Sequence, residues 1–233
     1  MSGSRRRRLT DFEEDLARMP RTPDDDAILS VAESLCRQLN LRKAPIYLNW
    51  VASREGGGEG FSLSFMAADT IQWGPTWLTL PKRLKGALSP EEWRPLLASS
   101  LIYVHQLRRK LASEEAKKAG IPSLLLAIPF YYYIGLPKIL WAIAAKSISE
   151  IAVWGIVFFA PVVLVSILGS RLEKSLRFRA DRRAADLLGK ESLLSSLRKI
   201  QTMKFGELER WRPGIPKLSQ RLGKLTRYSR KRT

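Results

Sequence analysis

Few residues of this 233-residue chain could do metal or covalent chemistry, because it contains one histidine, His105, and one cysteine, Cys36. A single imidazole excludes His-Glu-x-x-His zinc proteases, three-His zinc hydrolases and zinc fingers with paired histidines. Ser99 lacks a matched acidic partner for that histidine, which disfavours a serine nucleophile. Cys36 has no redox or metal partner nearby, so we expect it to pack in the core. No Lys-Ser or Lys-Thr pair follows the glycines at 56–58, which excludes a phosphate-binding loop there.

The net charge of +18 is unevenly distributed along the chain. Residues 171–233 contain 19 basic and 6 acidic side chains, and Arg5 to Arg8 form a second basic cluster. Segments of this kind bind phosphates, either of anionic lipid headgroups or of nucleic acid. The charge therefore predicts membrane lipid as a partner, with nucleic acid as an alternative partner.

Two long apolar segments lie in the middle of the chain. Residues 151–169 contain no charged residue and would form roughly 28 Å of helix, about the thickness of the hydrocarbon core of a bilayer. Residues 121–145 contain one charged residue, Lys138. We predict a transmembrane hairpin over 121–170 with its turn at 146–150; the alternative is a buried helical hairpin in a soluble core. Both flanks are basic, so the positive-inside rule predicts an integral membrane protein with two spans and both termini cytoplasmic. The flanking basic residues are Arg108, Arg109, Lys110, Lys117 and Lys118 before the hairpin, and Arg171, Lys174, Arg177 and Arg179 after it.

Local signals predict the elements that would position any site. An acidic first turn after Pro23 begins one helix, and Ser89-Pro90-Glu91-Glu92 begins a long one that reaches about residue 118. Further helices are expected over 171–189, 191–204 and 216–228, and strands over 45–51, 61–67 and 71–80. The predicted fold class is α+β: mostly helical, with a small β-sheet and a transmembrane helical hairpin.

The order of these elements and three short motifs resemble the HtpX and CAAX-prenyl-protease family of membrane zinc metallopeptidases, over about residues 24–227. Residues 88–98 are similar to the family's approach to its His-Glu-x-x-His motif, whose five positions are here Ser99, Ser100, Leu101, Ile102 and Tyr103. The family's E-x-x-A-D motif is matched by Arg177-Phe178-Arg179-Ala180-Asp181. Its H-P-x-x-x-x-R-I segment is matched by residues 215–222, which keep Pro216 and Arg221.

The resemblance implies a zincin-like domain whose zinc ligands are lost. The degenerate motif positions are Ser99, Ser100, Tyr103 and Arg177, and the guanidinium at Arg177 would repel a dication. Asp181 is the retained position, where the family's Asp supports the first zinc-binding His. We expect Asp181 to pair with Arg177, with Arg182 or with a hydroxyl of Ser99 or Tyr103, and no metal to bind. The implied domains are a basic disordered tail (1–22), the zincin-like N-terminal half (23–120), the transmembrane hairpin (121–170), the second motif helix and the helix after it (171–215), and a basic C-terminal tail (216–233).

The expected function is that of a catalytically inactive, metallopeptidase-like integral membrane protein, a pseudopeptidase without zinc. It would bind a membrane-protein partner or an extended chain, the latter by strand pairing along 61–67. One alternative is an active membrane metalloendopeptidase with a rearranged ligand set of His105, Asp181 and Glu173. The other is a membrane-tethered binder of nucleic acid or ribosomes that acts through residues 190–233.

Overall fold

The computed structural model describes residues 14–16, 18, 20–51, 71–74, 76–108, 129–145, 147–205 and 214–229. The chain divides into two compact units. The first unit falls within Met1–His105, Arg177–Trp211 and Pro216–Thr233, and the second falls within Gln106–Leu176 and Arg212–Ile215. The predicted strand at 61–67 and most of the predicted tail at 1–22 lie outside the described residues.

The described residues form six α-helices and three short strands. The helices are α1 (Pro23–Gln38), α2 (Pro90–Leu101), α3 (Leu136–Ala144), α4 (Ile148–Leu188), α5 (Lys190–Thr202) and α6 (Leu218–Ser229). The strands are β1 (Tyr47–Val51), β2 (Gln72–Trp73) and β3 (Trp77–Pro81). A 3-10 turn covers Lys82–Leu84, and π-helical segments cover Ile102–Arg108 and Tyr131–Gly135. The prediction of a mostly helical fold with a small sheet is therefore confirmed.

Capping boxes begin two of the helices; the one at α2 was predicted from the sequence, whereas at α1 only the acidic first turn was. At α1 the Thr22 hydroxyl accepts a hydrogen bond from the Asp25 amide (3.3 Å), and the Asp25 carboxylate accepts one from the Thr22 amide (2.9 Å). Ser89 and Glu92 form the same reciprocal pair at α2. Each box satisfies two amides that a helix start leaves unpaired. The starts of α1 and α2 thus follow from local chemistry.

The sheet has the strand order β1-β3-β2, with β1 parallel to β3 and β2 antiparallel to it. One continuous strand was predicted over 71–80, but the structure has two strands separated at Gly74. Helix α1 packs against α2, α2 packs against α5, and α5 packs against α6. The buried side chains between these elements include Leu35, Leu78, Leu80, Trp93 and Leu97.

The predicted transmembrane hairpin is wrong. Within the part of the chain that the structure describes, no helix combines the length and the apolar character needed to cross a bilayer. Counting consecutive apolar residues took no account of where helices begin and end. Helix α3 has 9 residues, roughly 14 Å against a hydrocarbon core of about 30 Å. Helix α4 continues without a break into the charged sequence that begins at Arg171.

The predictions that depended on those spans are wrong for the same reason. One is the prediction of a membrane-protein fold with a transmembrane hairpin. The other is the prediction of an integral membrane protein with two transmembrane helices and both termini in the cytoplasm. A break between the two apolar segments is observed, since α3 ends at Ala144 and α4 begins at Ile148, but residues 148–150 of the predicted turn belong to α4.

Candidate functional site

Three helices of the first unit bring one side chain each to a common buried point. Ser99 of α2 donates its hydroxyl hydrogen to Asp181 Oδ1 of α4 (2.6 Å). Arg221 of α6 donates from Nη2 to Asp181 Oδ1 (2.7 Å) and from Nε to Asp181 Oδ2 (2.9 Å). Residues separated by 82 and 40 positions in sequence therefore form one cluster, which we call the Asp181 cluster.

Both charges of the Asp181 cluster lie away from water. The exposed fraction is 1% for Asp181, 5% for Ser99 and 8% for Arg221. The two parallel bonds from the guanidinium match the geometry of a carboxylate, which is the strongest form of such a pair. Each carboxylate oxygen accepts a bond from the guanidinium, and Oδ1 also accepts the serine hydroxyl. The carboxylate is thus compensated in charge and in hydrogen bonding.

Small and apolar residues next to the Asp181 cluster allow α4 and α6 to pack closely around it. On α4, Ala180 and Ala184 are fully buried, and their small side chains let neighbouring backbones approach closely. On α6, Arg221 lies on the same helical face as the buried Leu218 and Leu225, three and four residues away. An arginine in the middle of an apolar helical face is the signal that could have identified Arg221 as a buried partner.

Arg177 of α4 and Tyr103 of the π-helical segment after α2 meet about one turn from the Asp181 cluster. The Arg177 guanidinium lies over the Tyr103 ring, 4.5 Å from its centroid, and Tyr103 is 6% exposed. Tyr103 follows Ser99 by four residues, whereas Arg177 precedes Asp181 by four. The segments containing Ser99 and Asp181 therefore run antiparallel where they meet. Three of the four degenerate motif positions lie along this contact.

Ser100, the fourth motif position, contacts strand β2 and the residue before it. Its hydroxyl donates to the Ile71 carbonyl (3.1 Å) and accepts from the Trp73 indole (3.2 Å). The chain segment at residues 71–73 is therefore held against α2, next to the Asp181 cluster.

The partners expected for Asp181 are found in part. Ser99 is confirmed as a partner, and the cation is Arg221 rather than either arginine named from the sequence. Arg177 lies over Tyr103, and the Arg182 guanidinium lies 5.1 Å from the centroid of the Tyr228 ring. The sequence motif had kept Arg221 without assigning it this contact.

The residues around Asp181 do not fit a zinc ion. Zinc in proteins is held by imidazole, thiolate or carboxylate groups, whereas Ser99 and Tyr103 offer neutral hydroxyls. The carboxylate of Asp181 is already engaged by a guanidinium, and a dication placed beside Arg221 would be repelled. Among the described residues, which include His105, Asp181 and Glu173, no three His, Cys, Asp or Glu side chains are grouped closely enough to hold a metal.

A second polar cluster links α1 to the sheet. The Trp50 indole donates to Asp25 Oδ1 (2.8 Å), and Lys85 Nζ lies 3.5 Å from Asp25 Oδ2. Trp50 also contacts Trp93 edge-on, with ring centroids 6.0 Å apart. Burial alone would raise the pKa of Asp25, but the bonds from Thr22 and Trp50 and the charge of Lys85 together lower it below its ordinary value. These contacts stabilise the ionised carboxylate and fix the start of α1.

The pKa values of Glu92 and Cys36 are also shifted, and neighbouring groups or burial explain each shift. The hydrogen bonds from Lys199 and from the Ser89 backbone lower the pKa of Glu92, which joins α2 to α5 through Lys199 Nζ at 2.7 Å. Burial, and then the charge of Glu33, raise the pKa of the Cys36 thiol. A buried, protonated thiol is consistent with the packing role expected for Cys36.

No protein-family model matches this chain, and neither the curated proteins nor the solved structures contain a detectable relative.

Proposed function

We propose that this protein is metallopeptidase-like but catalytically inactive, and that it acts by binding polypeptide. The supporting observation is the Asp181 cluster. Three motif segments that resemble the metallopeptidase family contribute Ser99, Asp181 and Arg221, and these side chains meet at one buried point. In the resembled family the first two of these segments carry the zinc ligands, so the contact between Ser99 and Asp181 here is consistent with a shared arrangement.

The chemistry of the cluster supports inactivity. Hydrolysis by zinc requires three ligands, an open position for water and a carboxylate that takes the water's proton. Ser100 stands at the position of that carboxylate, and its hydroxyl is bonded to Ile71 and Trp73. The guanidinium of Arg221 occupies both oxygens of Asp181. The cluster therefore joins three helices without leaving a base or a ligand set for hydrolysis.

Polypeptide is favoured as the bound molecule because the first unit holds strand β2 beside α2, the helix that carries Ser99 and Ser100. The bonds from Ser100 fix residues 71–73 along α2, and a fixed strand can pair with an extended chain through its backbone groups. Some of the positive charge that suggested nucleic acid is used within the protein, since Arg221 is buried and Lys224 lies 3.9 Å from the Phe178 ring centroid. The lipid, membrane-protein and nucleic-acid partners stay predictions.

A restored motif tests the positional argument. The variant Ser99→His, Ser100→Glu, Tyr103→His and Arg177→Glu recreates the family's ligands and base on this chain. We expect equilibrium dialysis with metal analysis to find one zinc per folded variant and none on the native chain. A matched variant that keeps Tyr103 lacks one ligand and should bind zinc more than about tenfold more weakly. A restored variant that keeps its native circular dichroism spectrum yet binds no zinc would refute the equivalence of these positions.

Binding without cleavage is tested on the native chain with fluorescein-labelled β-casein as an unstructured polypeptide. We expect fluorescence anisotropy to rise on binding, to be unaffected by a chelator, and the casein to stay intact on gels. Cleavage that a chelator abolishes, or tightly held stoichiometric zinc, would show an active peptidase instead. An absence of any anisotropy change would reject polypeptide binding.

A further inference from the structure

The outer sides of α4 and α6 form one continuous surface of the first unit. Lys224 of α6 lies over the Phe178 ring of α4, with Nζ 3.9 Å from the ring centroid. Four residues further along both helices, the Arg182 guanidinium of α4 lies 5.1 Å from the centroid of the Tyr228 ring of α6. Two contacts in the same register therefore join the helices along this surface, while the Asp181 cluster lies buried between them.

Four exposed cations lie on this surface. They are Arg179, Arg182, Lys224 and Arg227, which we call the basic face. Arg179 and Arg182 are three residues apart on α4, and Lys224 and Arg227 are three residues apart on α6. Side chains with this spacing are neighbours on a helix, about 5–6 Å apart at Cβ. Together with the two contacts between the helices, this spacing places the four cations next to one another.

Little negative charge offsets the basic face. Helix α6 contains no acidic residue. The part of α4 that belongs to the first unit contains two acids. Asp181 is buried and paired with Arg221, and the exposed Asp186 accepts a hydrogen bond from the Tyr228 hydroxyl (3.2 Å). Four exposed cations beside one exposed carboxylate leave this surface positive, so it attracts polyanions.

The surroundings of the basic face favour nucleic acid over a membrane surface. Helices that lie in a membrane interface insert large hydrophobic side chains beside their cations. Among the described residues of 171–205 and 214–229, no large hydrophobic side chain is exposed. Three of the four cations are arginines, whose planar fork matches the geometry of a phosphate. A nucleic-acid duplex presents one phosphate charge for about every 1.7 Å of its axis, which is a dense array for these cations to neutralise.

We propose that the basic face binds double-stranded nucleic acid through the backbone phosphates, without recognising the base sequence. Proteins that bind single strands stack bases on open aromatic rings, whereas Phe178 and Tyr228 each have a cation over the ring. Those rings hold Lys224 and Arg182 in place, so less side-chain freedom is lost on binding. The proposal uses the outer sides of α4 and α6 and does not depend on the proposed binding of polypeptide.

Fluorescence anisotropy of the full chain with a short fluorescein-labelled DNA duplex of mixed sequence tests the proposal. We expect binding to weaken linearly with salt on logarithmic axes, and a duplex of unrelated sequence to bind equally well. The variant Arg179→Gln/Arg227→Gln removes two phosphate contacts and leaves both cation–ring contacts in place. It should make the slope of the salt dependence shallower by about 1.8 and weaken binding at least about tenfold at about 0.1 M salt.

A matched control separates the basic face from the net charge of the chain. Arg42→Gln/Lys43→Gln removes the same charge at exposed positions between α1 and β1 and should leave the slope unchanged. Both variants should keep the native urea unfolding midpoint, because all four substituted side chains are exposed. Equal effects of the two variants, tighter binding of the separated strands, or no binding by the native chain would overturn the proposal.

Competition at equal concentrations of negative charge distinguishes the polyanions. We expect unlabelled duplex to displace the labelled duplex, and phosphatidylcholine–phosphatidylglycerol vesicles and polyglutamate to displace it much less. Displacement by the vesicles as strong as that by the duplex would assign the basic face to lipid and reject the proposal. Equally strong displacement by polyglutamate would assign the basic face to an acidic polypeptide and would also reject it.

Discussion

Replacing Arg221 with methionine measures what the buried ion pair contributes to stability. Asp181, whose side chain is 2% exposed, would lose the guanidinium bonds of 2.7 and 2.9 Å and keep the Ser99 hydroxyl. Removing one partner of a buried pair costs about 3–5 kcal/mol, because the other charge stays buried without compensation. We expect Arg221→Met to lower the free energy of unfolding by that amount. At about 2–4 °C per kcal/mol for a chain of this length, the melting temperature falls by roughly 6–20 °C.

Removal of both charges gives the comparison that isolates their interaction. The double variant Asp181→Leu/Arg221→Met replaces a buried pair with apolar groups, a change that is commonly close to neutral. Urea unfolding followed by circular dichroism, on the native chain, both single variants and the double variant, yields the coupling energy. Arg227→Met, an exposed residue of the same helix, is the control and should cost less than about 0.5 kcal/mol. A cost below about 1 kcal/mol for Arg221→Met, or additive costs in the double variant, would refute the reasoning.

Three further variants test separate features by urea unfolding. Gly214 has φ of 72°, and a Cβ added there would clash with the Glu173 side chain, so Gly214→Ala should cost about 2–4 kcal/mol. Gly86 has φ of 73° but open space around it, so Gly86→Ala should cost about 1–2 kcal/mol. Equal costs for the two variants would contradict the clash with Glu173. The pKa of Asp25 is lowered from 3.8, so its contribution to stability is present above that pH and is lost as the pH falls through the lower folded value. Asp25→Asn should therefore flatten the acid limb of the stability curve, and an unchanged limb would reject this assignment. Ser99→Ala removes a 2.6 Å bond to a buried carboxylate and should cost about 1.5–3 kcal/mol, against at most about 0.5 for Ser195→Ala on the surface; similar losses would show that the bond contributes little.

Features set by neighbouring residues could be predicted from the sequence. The starts of α1 and α2 depend on capping groups within three residues, and β1 lies within the predicted segment 45–51. The pairing of Ser99 with Asp181 was also anticipated, because the resembled motifs place these positions on facing helices. In each case the decisive contact is local or is implied by the order of motifs.

Features set by distant packing could not be predicted in the same way. Asp25 was interpreted as one of several acids in a first turn, but it is buried, and its half-buried partner Trp50 lies 25 residues away. Arg221 was one of many basic residues near the C-terminus, and although its place between Leu218 and Leu225 on an apolar helical face hints at burial, its partner Asp181 follows only from the packing of α6. The apolar segments were interpreted as membrane spans because a count of consecutive residues contains no information on helix bounds or on what covers a surface.

The position of Arg221 constrains the order in which the first unit can mature during synthesis. Asp181 leaves the ribosome 40 residues before its compensating cation, so a nascent chain that ends ahead of α6 would have to bury an isolated carboxylate or keep α4 apart from α2. The hydrophobic contacts of Leu218 and Leu225 arrive together with that cation. Closure of the three-helix junction therefore has to follow the synthesis of α6, and chains that stop at residue 215 should remain sensitive to protease where chains that include α6 resist.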